Sequence, residues 1–151
     1  MRMTLSRFAR MCEVLENNNG KADIINESLS AFIDVQSTLK ILSLDFESNN
    51  IGSKRAISWI ATSLGVFEVE IKAEVEAWGD LGEGLNQFMM YEDKNSNISM
   101  SEFHRLLELD CSSMSNNSYP LISEAINSMS GLELKWFVRY WLRTPRNGVS
   151  K

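Results

Sequence analysis

The stretch Leu132-Glu133-Leu134-Lys135-Trp136-Phe137-Val138-Arg139-Tyr140-Trp141-Leu142-Arg143 decides the fold class. Leu134, Phe137, Val138 and Trp141 recur at the 3.6-residue spacing of an α-helix and predict one from about Leu132 to Leu142, with these four facing inward. Lys135, Arg139 and Arg143 follow at four-residue steps on the other side and are expected to lie outward.

The same period runs back through the chain. Pro120, placed where a helix N1 residue needs no N–H, precedes Ile122, Ala125, Ile126 and Met129. Ser99 and Glu102 have the spacing of a capping box ahead of Phe103, Leu106, Leu107 and Cys111. Earlier come Leu81 to Met90, then Ile71, Val75 and Trp78 closed by Gly79, and Ile57, Ile60, Ala61 and Leu64 opened by Gly52-Ser53 and closed by Gly65. Val35 to Phe46 is too densely apolar to give one face. Ile24, Ile25, Leu29, Phe32 and Ile33 share a side of a further helix. Leu5, Phe8, Ala9, Cys12 and Leu15 follow Thr4, an N-cap, and stop at Asn17-Asn18-Asn19-Gly20. No stretch alternates like a strand bounded by a hairpin turn. The expectation is an all-α fold of about eight to ten helices, forming one domain over 1–151, with a polar loop from Ser112 to Ser118.

Composition agrees with a globular chain. Of 151 residues 44% are hydrophobic and 23% charged, enough apolar content for one core. Arginines at 2, 7 and 10 interrupt any apolar leader, and no run of about 18 apolar residues occurs. The expected setting is intracellular, cytoplasmic or nucleoid-associated, with no membrane. Cys12 and Cys111 stand far apart without metal-ligand spacing, so disulfide and metal readings are poor. The formal net charge of -5 argues against an electrostatic nucleic-acid partner. Resolved along the chain it is uneven: residues 1–130 hold 10 basic and 19 acidic side chains, net -9, and residues 131–151 are net +4. That basic ending is either an anion-contacting edge or a solvated helix face.

Other candidate sites carry less. Asp93, Asn95 and Asn97 ahead of Glu102 imitate a calcium loop, but ten positions replace twelve and the turn glycine is missing. His104 is the single histidine, which excludes paired-histidine sites. Gly79-Asp80-Leu81-Gly82-Glu83-Gly84 lacks the Lys-Ser/Thr ending of a phosphate loop. Trp59, Trp78, Trp136 and Trp141 mostly sit at core spacing rather than on a base-stacking platform.

Three fragments, in order, carry a resemblance: Ile51-Gly52-Ser53-Lys54-Arg55-Ala56-Ile57, Trp78-Gly79-Asp80-Leu81-Gly82-Glu83, and Leu132-Glu133-Leu134-Lys135 continuing through Arg139 to Arg143-Thr144-Pro145-Arg146-Asn147-Gly148-Val149. Together they resemble the N-terminal DNA-binding domain of ATP-dependent DNA ligases, in which a glycine-led helix start with a lysine in its first turn, a Gly-Asp-Leu-Gly turn and an Arg-x-Gly-Val ending succeed one another. Arg143 and Pro145 depart from the glycine and methionine more usual there.

The resemblance implies an all-helical module, monomeric, that grips nicked double-stranded DNA through phosphates and the minor groove and presents it to the catalytic domains of the same ligase. The adenylation and OB-fold domains, with ATP and Mg2+ as cofactors, belong to the longer enzyme. No Lys-x-Asp-Gly adenylation motif occurs in this chain, so it is expected to need no cofactor and to be non-catalytic alone, as a piece of a longer ligase. The implied DNA-binding residues are Gly52, Ser53, Lys54, Gly79, Leu81, Gly82, Arg139, Arg143, Arg146, Asn147 and Gly148. Glycines at helix starts let backbone amides approach phosphate, and arginines add bidentate contacts. Asp80 is expected to cap the helix beginning near Leu81 rather than to touch DNA. About four neutralised phosphates correspond to a salt slope of roughly -3 to -4. The alternative is an all-α protein-interaction adaptor using its basic last helix.

Overall fold

The computed structural model describes residues 3–17, 35–47, 49–92, 94–113 and 117–145. Among them are eight helices and no strand: α1 (Leu5–Asn17), α2 (Val35–Leu42), α3 (Ser53–Leu64), α4 (Glu68–Trp78), α5 (Leu81–Phe88), α6 (Met100–Glu108), α7 (Ser118–Ser128) and α8 (Gly131–Trp141). The expected helix through Ile24 to Ile33 lies outside the described residues, as does Asp93 of the calcium-like loop. No described helix is long and apolar enough to cross a membrane.

The helix ends follow local chemistry. Gly65 and Gly79 close α3 and α4 in the left-handed conformation, at φ 70° and 76°, where a Cβ is strained. The Ser99 hydroxyl accepts from the Glu102 amide at the start of α6. A full capping box opens α8, with Ser130 and Glu133 satisfying each other's amides. Glu133 is buried and also takes hydrogen bonds from the Ser96 amide and hydroxyl, tying the loop before α6 to α8. Pro120 falls two residues inside α7 rather than at its first position, still within the first turn where its missing N–H breaks no bond.

The core is organised around α8, which is buried on every side. Phe137 and Trp141 stack at 5.3 Å, Phe137 meets Phe103 of α6 at 6.1 Å, and Phe8 of α1 lies 5.3 Å from Tyr140. Trp59 of α3 joins the chain of rings to Trp141 at 6.2 Å. A helix enclosed in this way needs apolar residues round its whole circumference, and Trp136 and Tyr140 supply them on the side that Lys135 and Arg139 share. Asn49 closes the far end: its side-chain NH2 donates to the Leu107 and Trp141 carbonyls at 3.0 and 2.9 Å, satisfying helix-end acceptors that a buried terminus leaves open.

Cys12 and Cys111 are both buried. Burial pushes the Cys111 thiol up to about 11, so it stays protonated at neutral pH. His104 sits half-buried with its Nε2 3.7 Å from the Glu108 carboxylate on the next turn.

Candidate nucleic-acid interface

Three sequence-distant fragments converge on one cleft. Ser53 and Ile57 of α3, the turn Gly79 to Gly82, and Val138, Arg139, Leu142 and Thr144 at the end of α8 line a space of about 250 Å³. The convergence follows from the helix order: α4 returns along α3, its terminating Gly79 leads straight into α5, and α5 packs on α8.

The two helix starts at this cleft are built differently. Asp80 is the N-cap of α5 and its carboxylate accepts from the Glu83 amide at 3.0 Å, as expected. The same oxygen receives Arg139 Nε at 3.1 Å and Nη2 at 2.5 Å. Gly82 sits directly against this arginine: a Cβ there would come within 2.9 Å of Arg139 Nε and 3.0 Å of the Lys135 carbonyl. Gly82 therefore allows α5 to press onto α8, and the Gly-Asp-Leu-Gly turn is a helix-packing joint.

The α3 start has no such partner. Gly52 is its N-cap, extended at φ -113° and ψ 169°, with no side-chain cap. Gly52, Ser53 and Lys54 are exposed. On the other flank of this start a wider opening of about 770 Å³ is lined by Gly52, Lys54, Arg55, Ser58 and Trp59 together with Ser112, Ser113 and one carboxylate, Glu68. Arg55 is held there by donating to the Cys111 carbonyl at 2.9 Å.

The expected outward basic face of α8 is not outward. Lys135 and Arg139 are only 3% and 4% exposed and sit in a ladder of carboxylates. Lys135 Nζ bonds Glu13, lies 2.7 Å from Glu83 and reaches Glu16 at 3.4 Å. Arg139 Nη1 lies 2.8 Å from Glu16, its other nitrogens hold Asp80, and its guanidinium stands 4.7 Å over the Trp136 ring. Trp136 Nε1 donates to Glu13 at 3.0 Å. The physical reason is that Trp136 and Tyr140 make this side of α8 worth burying, and α1 and α5 bring the carboxylates that neutralise its cations. Arg143 is likewise half-buried: its guanidinium donates to the Phe46 and Leu44 carbonyls at 3.1 and 3.0 Å and stacks 4.5 Å over the Phe46 ring. An adaptor reading loses the basic face it required.

Burial works against the charges of Glu83, Lys135 and Arg139, and the pairing outweighs it. Hydrogen bonds from Lys135 and Gln87 hold the Glu83 carboxyl below its ordinary value. Glu13 and Glu83 keep Lys135 above its own, and Asp80 and Glu16 do so for Arg139. Two cations against four carboxylates leave the ladder formally negative, a poor surface for phosphate.

Of the expected site residues, Ser53, Gly79, Leu81, Gly82 and Arg139 share the cleft, while Gly52 and Lys54 line the wider opening. Arg146, Asn147 and Gly148 lie outside the described residues. Glu13, Glu16, Asp80 and Glu83 are the ladder members that spacing alone did not single out as partners of α8.

Fold and cleft define an all-helical module built round one enclosed, charge-clamped helix, with an open helix start at its surface. The family model described as DNA ligase N terminus matches residues 4–151, and the chain belongs to that family, the N-terminal domain of ATP-dependent DNA ligases. No curated protein matches the chain.

Proposed function

We propose that this ligase module binds duplex DNA at a nick without reading its sequence and presents it to the nucleotidyltransferase core of the enzyme, in DNA replication, repair or recombination. The observation that carries the reading is the α3 start: an exposed helix N-terminus with a glycine cap, no capping side chain, and Lys54 in its first turn. Unpaired first-turn amides and the positive end of the helix dipole favour a phosphate oxygen, and Gly52 lets it approach closely. Lys54 adds a point charge. Contacts of this kind position a duplex and carry no base information, which suits an enzyme that seals breaks at any sequence.

Arg139 acts in this proposal through position. By holding Asp80 it fixes the turn that walls the cleft beside Ser53. Arg146, Asn147 and Gly148 remain proposed contacts beyond α8. ATP and Mg2+ serve the core, and the partners are nicked duplex DNA and the catalytic domains.

Fluorescence anisotropy on nicked duplexes of unrelated sequence tests the reading. With Lys135 and Arg139 committed to carboxylates, two to three neutralised phosphates give a log K against log salt slope of roughly -2 to -3, equal for all sequences. Absence of binding at low salt, or affinity that depends on sequence, contradicts it.

A further inference from the structure

The α4–α5 pair has a second end, away from the cleft. The chain reverses at Gly79-Asp80, and four residues past the turn Gly84 lies against the Glu74 and Val75 backbone, where a Cβ would sit 3.1 Å away. Helix α5 therefore runs back along α4, and its exit lies beside the α4 start. Phe67 and Val69 at that start are 77% and 69% exposed, and Met90 and Tyr91 at that exit are 57% and 91% exposed. Among the described residues these are four of the eight large hydrophobic side chains left in solvent. Scattered singly they would need no explanation, but several hundred Å² gathered at one end of a helix pair is the scale of an interaction site. Glu68 and Glu92, both exposed, border it.

We propose that this end of the α4–α5 pair is a docking surface for a basic segment of another protein, one that sets Lys or Arg beside apolar side chains. Charge selects this occupant over the others. Duplex DNA is repelled by Glu68 and Glu92, and the cations nearest Glu68, Lys54 and Arg55, line the opening at the α3 start, where DNA is already proposed to lie. A second copy of this chain in a two-fold contact brings the same carboxylates against themselves. The chain's own apolar stretch, residues 18–34, carries Asp23, Glu27 and Asp34 against Lys21, so its charge matches the patch instead of complementing it. A basic partner meets the carboxylates at the rim and buries Phe67 and Tyr91 at the centre, the arrangement of aromatic anchors within a polar ring that dominates interface energetics.

The test selects phage-displayed random 16-residue peptides on the 151-residue chain and measures the enriched ones as synthetic peptides against the wild type and Phe67→Ser/Tyr91→Ser. The expected peptides are rich in Lys and Arg flanking apolar residues, lose roughly tenfold or more in affinity for the double variant, and weaken as salt is raised. The double variant keeps the wild-type melting temperature and its affinity for nicked DNA. Enriched peptides that are acidic, or that bind the double variant as tightly, overturn the proposal, as does failure to enrich any. A lower melting temperature in the double variant assigns the patch to the chain's own packing. A concentration-dependent dimer that the double variant abolishes assigns it to self-association. Either result overturns it.

Discussion

Two helices meet the same cleft, each led by glycine chemistry and each paired with a basic residue, and they use these parts in opposite ways. At α3, Gly52 leaves the first amides uncapped and Lys54 exposed. At α5, Asp80 fills the cap, Gly82 admits the Arg139 side chain, and the arginine is sealed between Asp80 and Glu16. A glycine at a helix start thus serves either the approach of a ligand or the approach of a neighbouring helix. What distinguishes them is whether a carboxylate is present to consume the amides and the cation.

That contrast is broken most severely at Arg139. Arg139→Leu leaves Asp80 half-buried without its cation and Glu16 with only the Lys135 ammonium at 3.4 Å, and stability is expected to fall by about 3 kcal/mol in urea unfolding. Gly82→Ala forces a methyl into the arginine and the Lys135 carbonyl and is expected to destabilise by about 1–3 kcal/mol, whereas Gly52→Ala meets nothing within 4 Å and is expected to cost less than about 2 kcal/mol.

Titration probes the charge ladder as well. Because the folded Glu83 carboxyl is held below its ordinary value of 4.5, its contribution is fully present above that value and is lost as pH falls through the lower, folded one. The melting temperature is therefore expected to drop on acidification below about pH 4.5, and Glu83→Gln is expected to flatten that part of the profile. At the basic limit Lys135, held above its ordinary value, contributes below its unfolded pKa and loses that contribution as pH rises through the folded one.

The smallest stability change and the sharpest functional one are expected at Gly52→Asp. The position is extended with open space around its Cβ, so the carboxylate can cap α3 and shift stability by only a few tenths of a kcal/mol. It would occupy the amides proposed for phosphate, and affinity for nicked duplex is expected to drop. Unchanged affinity in a folded Gly52→Asp variant argues against the α3 contact.

The helical period of Leu5 to Leu15, Ile57 to Leu64 and Leu134 to Trp141 made the all-α fold legible, since each run places its apolar residues where burial is observed. The three fragments made the ligase family legible, whereas their meeting at one cleft is set by the packing of α3, α5 and α8. The orientation of α8 was not legible. Its basic residues step by four, which on a two-faced helix means solvent, but Trp136 and Tyr140 interleave with them and mark the same side for burial. The partners that make this possible, Glu13, Glu16, Asp80 and Glu83, are supplied by tertiary packing of α1 and α5, and no local spacing reports it. Asn49 is a similar case: within the polar run Ser48-Asn49-Asn50 it reads as loop chemistry, and its buried role depends on the Leu107 and Trp141 carbonyls, 58 and 92 residues away.

The most direct test of the central claim is the salt dependence of nicked-duplex binding for the wild type, Lys54→Gln and Arg139→Gln, each confirmed folded by circular dichroism at the temperature used. The account predicts that Lys54→Gln reduces the magnitude of the slope by about one without moving the melting temperature, and that Arg139→Gln lowers the melting temperature and leaves the slope of the folded protein unchanged. A slope that responds to Arg139→Gln and ignores Lys54→Gln would contradict it.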